Sequence, residues 1–487
     1  MPSNELERRQ FLARSAAGLT AAAMASDAEF RAEERSRPNI LWLLGDQHRA
    51  QALSCMGDPN LSTPHIDRLA GGVGVTAVAG CPLCTPFRGS LLTSRYPHEC
   101  TPGHDHAMPE GMPTVAAPFN EAGYRTAYFG KWHVDGRDNC AKDERSGKQF
   151  VRPERRGEFE MWMGYENNNA QYDCWLHGHN TSGDPIELFQ LPKYETDAIT
   201  DHVIEYLKDR SRERAAGNAR PFFAIMSVQP PHSPYVAPEE WTARHRPENV
   251  KLRPNVPPVK QIMDDARRDL AGYYAMIENL DWNVGRIVET LDQTGQLDNT
   301  YIVFFSDHGD MHGSQARILK CVPWEESIRV LFIVSKGGKP CMPRATPSPV
   351  HTPINHVDIA PTSLGLCGLP IPEWMRGVDM SSLVDTSQPS ADGIPDSAFL
   401  QLVDPGFKYG FASDRERPWR GVVTADGWKY AVLEGQPWLL YNLNEDPYEL
   451  ANHALDGRFK TERRKLQERL ATWMSDTGDE FELPEIS

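Results

Sequence analysis

Pro38-Asn39-Ile40-Leu41-Trp42-Leu43-Leu44-Gly45-Asp46-Gln47 is an unbroken apolar run that stops on an acid and an amide. Five consecutive large apolar side chains suit a strand buried on both faces, as in a mostly parallel sheet. A strand of that kind needs helices on both sides and so implies α/β architecture. It also sets Asp46 and Gln47 just past a carboxyl end, where ligands bind in open α/β sheets.

The same pattern recurs along the chain. Thr126–Phe129 reads as a strand ending at Lys131 and His133, Phe222–Val228 as one leading to His232, and Thr300–Phe305 as one ending at Asp307-His308. Val73–Val78 and Ile328–Val334 are further strand candidates. Helices are expected from Thr63, over Thr114–Ala122, Thr196–Arg214, Ala266–Gly295 and Val357–Leu366. Polar residues after four strands predict one site at one sheet edge. Asp135–Lys193 is polar, aromatic and irregular, and reads as an insertion on the substrate side. A composition shift near 385–396 reads as a linker. Past it, Ala398–Val403, Gly421–Thr424 and Lys429–Leu433 read as strands, with Asp426-Gly427 as a hairpin turn and Arg458–Ser475 as a closing helix. The domains are therefore 1–36 outside the fold, 37–385 as the large α/β unit and 396–487 as a small α+β unit.

At 487 residues the chain exceeds one small core. Its 51 basic and 67 acidic residues give a net charge of −16, which argues against a nucleic-acid surface. An anionic substrate would need cations gathered inside a pocket. No run of 18 apolar residues exists to span a membrane. Arg8-Arg9-Gln10-Phe11-Leu12 and the small-residue run ending Ala23-Met24-Ala25 resemble a twin-arginine export leader, although Glu7 and Arg14 depart from the pattern. Export would place the protein in the periplasm or outside the cell; without a working leader it would stay in the cytoplasm. Nine scattered cysteines form no dense disulfide framework.

Cys84-Thr85-Pro86-Phe87-Arg88 is the chemically distinctive segment. If the segment after Pro86 is helical, Cys84 lies at the helix N-terminus with Arg88 one turn on, which suits an anion. Cys81-Pro82-Leu83-Cys84 is also a CxxC, the spacing of a redox pair or half a zinc site, but no second CxxC follows. A thiol nucleophile with His133 or His232 as base is chemically reasonable. Asp46, Gln47, Asp307 and His308 could hold one divalent cation, or each Asp could simply cap a turn. Arg88, Lys131, His133, His232 and Lys320 could stabilise charge on transferred oxygens; singly, each is an ordinary surface or salt-bridged residue.

In order, RPNILWLLGDQ, STPHIDRLA, CTPFRGSLLTSRYPH, GYRTAYFGKWH, QPPHSPY, DNTYIVFFSDHGDMHG, LKCVPWEESIRV and LLYNLNEDPYELAN resemble the type I sulfatase family along nearly the whole chain. The resemblance implies an alkaline-phosphatase-like fold, with a large mixed, mostly parallel sheet and a smaller C-terminal domain. It implies that Cys84 is converted by a formylglycine-generating enzyme to formylglycine, whose hydrate is the nucleophile. Asp46, Gln47, Asp307 and His308 would then hold the metal, which also contacts residue 84. Calcium is the first expectation, manganese or magnesium the alternatives. Arg88 and Lys131 would orient formylglycine, His133 would take a proton from the sulfated hydrate, and His232 and Lys320 would bind sulfate and help the leaving oxygen depart. The implied activity is hydrolysis of a sulfate ester. The insertion's Tyr165, Tyr172, Trp175, His177 and His179 could stack on a sugar ring or simply pack under a loop; with export, they make a carbohydrate sulfate the expected substrate. Gln47 and His308 depart from the usual arylsulfatase Asp and Asn. Asp-Gln with Asp-His looks more like phosphonate monoester hydrolases and choline sulfatases, so phosphonate or phosphodiester cleavage stays open. A catalytically silent metal-binding relative, with Cys84 left as a thiol, is the third reading.

Overall fold

Asn39–Gly45 forms β1 and is buried along its whole length. Its side chains alternate between two cores: Leu41 and Leu43 face one, and Ile40, Trp42 and Leu44 the other. The structure is a computed structural model describing residues 37–71, 75–104, 106–136, 146–341, 354–384, 393–405 and 417–485. The leader-like residues 1–36 and linker residues 385–392 lie outside the described residues.

The remaining strands are β2 (Val75–Val78), β3 (Arg125–Lys131), β4 (Met161–Tyr165), β5 (Trp175–His179), β6 (Pro185–Gln190), β7 (Phe222–Val228), β8 (Thr300–Ser306), β9 (Arg329–Lys336) and β10 (Lys339–Pro340), followed by β11 (Ser397–Leu402), β12 (Trp419–Thr424), β13 (Trp428–Leu433) and β14 (Gln436–Asn442). The first ten make one sheet in the order β10-β9-β8-β1-β7-β3-β4-β5-β6, with β2 against β9. β8, β1, β7, β3 and β4 are mutually parallel. β9, β10, β5 and β6 pair antiparallel at the flanks.

Helices cover both faces, so the parallel strands read as continuous apolar runs. On one side lie α1 (Pro64–Ala70), α4 (Glu195–Ala215) and α5 (Lys260–Gln293), through Ile66, Ile199, Val203, Leu280 and Ile287. On the other lie α2 (Cys84–Thr93), α3 (Ala116–Glu121) and α6 (Ile359–Leu366), through Phe87, Leu91, Phe119 and Leu364. α5 starts at Lys260, six residues earlier than the sequence suggests, because Lys260–Asp265 already turns as helix beyond Pro257-Pro258.

One expectation is corrected. Asp135–Lys193 is not merely irregular: it supplies β4, β5 and β6, and β4 continues the parallel sheet beside β3. Its short strands, with Gly164 and Gly178 inside them, obscure the pattern. Where β5 crosses β4, a Cβ on Gly178 would lie 1.7 Å from the Trp162 carbonyl oxygen.

The small sheet runs β11-β12-β13-β14, all antiparallel; the sequence alone does not single out β14. One face, with Trp419, Ala431 and Leu400, packs on Cys81, Leu83, Val322 and Trp324 of the large unit. The other, with Phe399, Tyr430 and Val432, is covered by Leu466, Leu470 and Met474 of α7 (Lys460–Thr477). The sheet thus backs the segments carrying Cys84 and Lys320. Among the described residues, no helix is long and apolar enough to cross a membrane.

Candidate active site

Parallel strands end on the same side, and β1, β3, β7 and β8 bring their trailing residues to one edge. α2 begins there at Cys84, after extended Leu83, which makes no side-chain cap bond. The first-turn N–H groups of a helix lack intrahelical acceptors and carry positive potential, so Cys84 sits where an anion is favoured. The structure gathers all the candidate residues around it.

Cys84 Sγ lies 3.1 Å from His308 Nε2 and 3.7 Å from Asp46 Oδ1. His133 and His232 lie beside the thiol and interact with it electrostatically. Arg88 Nη2 is 3.2 Å from Asp46 Oδ2 and 3.5 Å from Asp307 Oδ2. The same guanidinium donates to Ser227 Oγ at 2.7 Å and to the Lys131 carbonyl at 3.0 Å. Lys131 Nζ donates to Asp46 Oδ2 at 2.5 Å. Lys320 Nζ contacts Gln47 Oε1 at 2.5 Å and His232 Nε2 at 2.8 Å.

These groups are almost fully buried, and His232 is the more exposed one. Burial alone would raise the Cys84 thiol, but Lys320, His308 and Lys131 outweigh it and hold the thiol well below its ordinary value. Burial likewise opposes ionisation of Asp46, yet Lys131, His232 and Arg88 keep it below the usual carboxylate range. Asp307 goes the other way, raised by burial and by Asp46. Burial and Lys131 push His133 well down, leaving a neutral imidazole beside residue 84. The edge therefore combines an ionisable thiol, two carboxylates, three imidazoles and three cations.

Donor atoms of Asp46, Cys84, Asp307 and His308 all lie within 4.8 Å of one another. Asp307 Oδ2 is buried and accepts no hydrogen bond. Two carboxylates and an imidazole suit a divalent cation, so the residues present fit one. Gln47 N donates to Asp307 Oδ1 at 2.8 Å, and the residue sits at φ 66, in the left-handed region. His133 shares that region at φ 59. Non-glycine residues held there mark sites where surrounding structure over-determines the backbone.

Sequence reasoning does not single out Ser227, Asp310 or Tyr235. Ser227, the penultimate residue of β7, accepts from Arg88. Asp310 and Tyr235 lie three residues past Asp307 and His232, inside stretches already recognised as strand ends, and that proximity is the only signal.

The sulfatase family model matches residues 38–369, and a model described as N-sulphoglucosamine sulphohydrolase, C-terminal, matches 318–476. An ulvan-active sulfatase of Formosa agariphila is 35% identical, covering 92% of this chain and 83% of that protein. An endo-4-O-sulfatase of Bacteroides thetaiotaomicron is 29% identical, covering 92% and 94%. The solved structure of a Bacteroides fragilis protein assigned to the sulfatases superposes with a TM-score of 0.77 at 26% identity, covering 91% of this chain and 97% of that one.

Proposed function

The chain belongs to the sulfatase family of sulfuric ester hydrolases, and from that premise we propose that it hydrolyses a carbohydrate sulfate ester through formylglycine made from Cys84. The supporting observation is the placement of Cys84 Sγ, at a helix N-terminus and 3.1 Å from His308 Nε2. On this reading, Sγ stands where an oxygen of the aldehyde hydrate would stand. That hydrate supplies a nucleophilic oxygen, and a covalent intermediate divides one difficult displacement into two easier ones.

Asp46, Asp307 and His308, with the Gln47 oxygen, would hold one divalent cation. Calcium is the first candidate, with manganese or magnesium as alternatives. Such a cation polarises an ester and lowers the pKa of an attacking oxygen. Arg88 and Lys131 brace Asp46 and hold positive charge beside residue 84. His133, kept neutral, takes a proton there. His232 and Lys320, 2.8 Å apart, face the position of the leaving oxygen. Lys320 carries charge to the sulfate oxygens, and His232 delivers a proton.

The sugar preference rests on the relatives and on the insertion. Gln171 Nε2 donates to the His232 and Pro234 carbonyls at 3.2 and 3.0 Å. The neighbouring Tyr172 is 51% exposed, a ring able to stack on a sugar. The working protein would be exported and would depend on a formylglycine-generating enzyme.

Gln47 and His308 favour a second reading, hydrolysis of phosphonate monoesters or phosphodiesters in the same pocket. Sulfate release from a panel of sulfated glycans, set against turnover of aryl sulfate and aryl phosphonate esters, decides between the two. Preference for sulfate esters is expected, with at least one glycan turned over. Equal or reversed preference would overturn the first reading.

A further inference from the structure

Gln47 is held at four atoms. Its N–H donates to Asp307 Oδ1 at 2.8 Å, and its carbonyl accepts from Tyr273 OH at 2.7 Å. Its side-chain oxygen accepts from Lys320 Nζ at 2.5 Å, and its amide nitrogen donates to Asp310 Oδ2 at 2.5 Å. An ammonium only donates and a carboxylate only accepts. The two neighbours therefore impose one amide orientation, oxygen toward Lys320 and nitrogen toward Asp310.

Asp310 is itself fixed from several elements. Tyr235 OH donates to Oδ2 at 2.6 Å, and the backbone N–H groups of His312 and Leu319 donate to Oδ1 at 3.1 and 3.0 Å. It ties together the ends of β1 and β8, the loop carrying His232 and the segment carrying Lys320. An acid at position 47 would place two carboxylates in contact in a buried site, which is costly.

We propose that Asp310 is a positioning residue for Gln47, and that the Gln47–Asp310 pair moves one negative charge from the metal-holding edge to the layer behind it. The edge then carries Asp46 and Asp307 as its acids. The remaining charge acts through an amide hydrogen bond that fixes where the Gln47 oxygen points. The charge-placement half rests on the metal-holding reading of this site; the positioning half does not.

The pair is tested by a cycle of Gln47→Glu, Asp310→Asn and the double variant in the full-length chain. The carboxylate introduced by Gln47→Glu is nearly isosteric with the amide it replaces. The amide introduced by Asp310→Asn can donate to that carboxylate while keeping the two backbone bonds on its oxygen. Each single variant should lower the melting temperature, and the double variant should recover most of the loss. Additive losses would overturn the positioning role. The protein is then dialysed against chelator and titrated with calcium or manganese chloride, following the cation-dependent rise in melting temperature. With the charge returned to the edge, the double variant should reach its midpoint at about tenfold lower cation concentration than the parent. An unchanged midpoint would overturn the charge-placement half. If no cation shifts even the parent, the metal reading itself fails, and the melting cycle alone still decides whether Asp310 positions Gln47.

Discussion

His232 and Lys320 sit 2.8 Å apart at the more open side of a site whose other members are closed off. A sugar alkoxide is a poor leaving group and needs a proton as its bond breaks; an acidic phenolate does not. His232→Asn should therefore lower turnover of a sugar sulfate by about 10²-fold or more, and that of a nitrophenyl sulfate by much less. Equal losses on both substrates would remove His232 from the leaving-group side. His232 is legible in the sequence because it follows a strand within a short motif, whereas Lys320 is marked only by the resemblance of the segment LKCVPWEESIRV. Their partners are less so. Nothing local marks Ser227 as an acceptor for Arg88 or Asp310 as a partner for Gln47, because both contacts arise only when elements distant in sequence, a helix against a strand and two strand ends, come together.

The elements that aim these residues tolerate little change. Gly130 precedes Lys131 in β3 at φ 100, where a Cβ would lie 2.0 Å from the Ser227 carbonyl oxygen of β7. Gly130→Ala should cost about 3 kcal/mol or more, combining a left-handed backbone with a backbone collision, and should show as a lowered denaturation midpoint. α2 is braced at its other side by His356, whose ring packs 4.8 Å from Phe87 and whose Nδ1 accepts from Gly80 N at 2.9 Å. Burial pushes the His356 pKa from 6.5 down to about 3. The folded value is depressed, so its stabilising contribution is complete above 6.5 and is lost as pH falls toward 3. At pH 5 the loss should be about 2 kcal/mol. The melting-temperature gap between parent and His356→Asn should therefore narrow from about pH 7.5 to about pH 5; a constant gap would contradict this. Long, doubly buried strands such as β1 and β8 are legible from sequence almost to their ends, because continuous apolar runs have few alternatives. β4–β6 are not, because short strands near one end of the sheet, with a glycine inside β4 and β5 and polar side chains in β5 and β6, carry no clear period.

Across the molecule, the small sheet holds the segment following Lys320 through buried charge. Lys429 of β13 contacts Glu325 at 3.0 Å and also Glu449, and Glu325 N donates to Glu449 Oε2 at 2.8 Å. Lys429→Met would leave two acids facing each other away from water, at a cost of about 3–5 kcal/mol. Pairing it with Glu325→Gln should recover part of that loss in denaturant unfolding; no recovery would mean the pair is not coupled. The two-unit plan is legible from the composition shift near 385–396, whereas this ion cluster is not, since Lys429, Glu325 and Glu449 meet only through the docking of the units. The proposed chemistry stands on what Cys84 becomes. Mass spectrometry of the peptide containing Cys84, from protein made in its native host, measures this directly. A formylglycine mechanism predicts a peptide in which sulfur and two hydrogens are replaced by one oxygen, reactive toward hydrazides; an intact thiol that alkylates fully would contradict it.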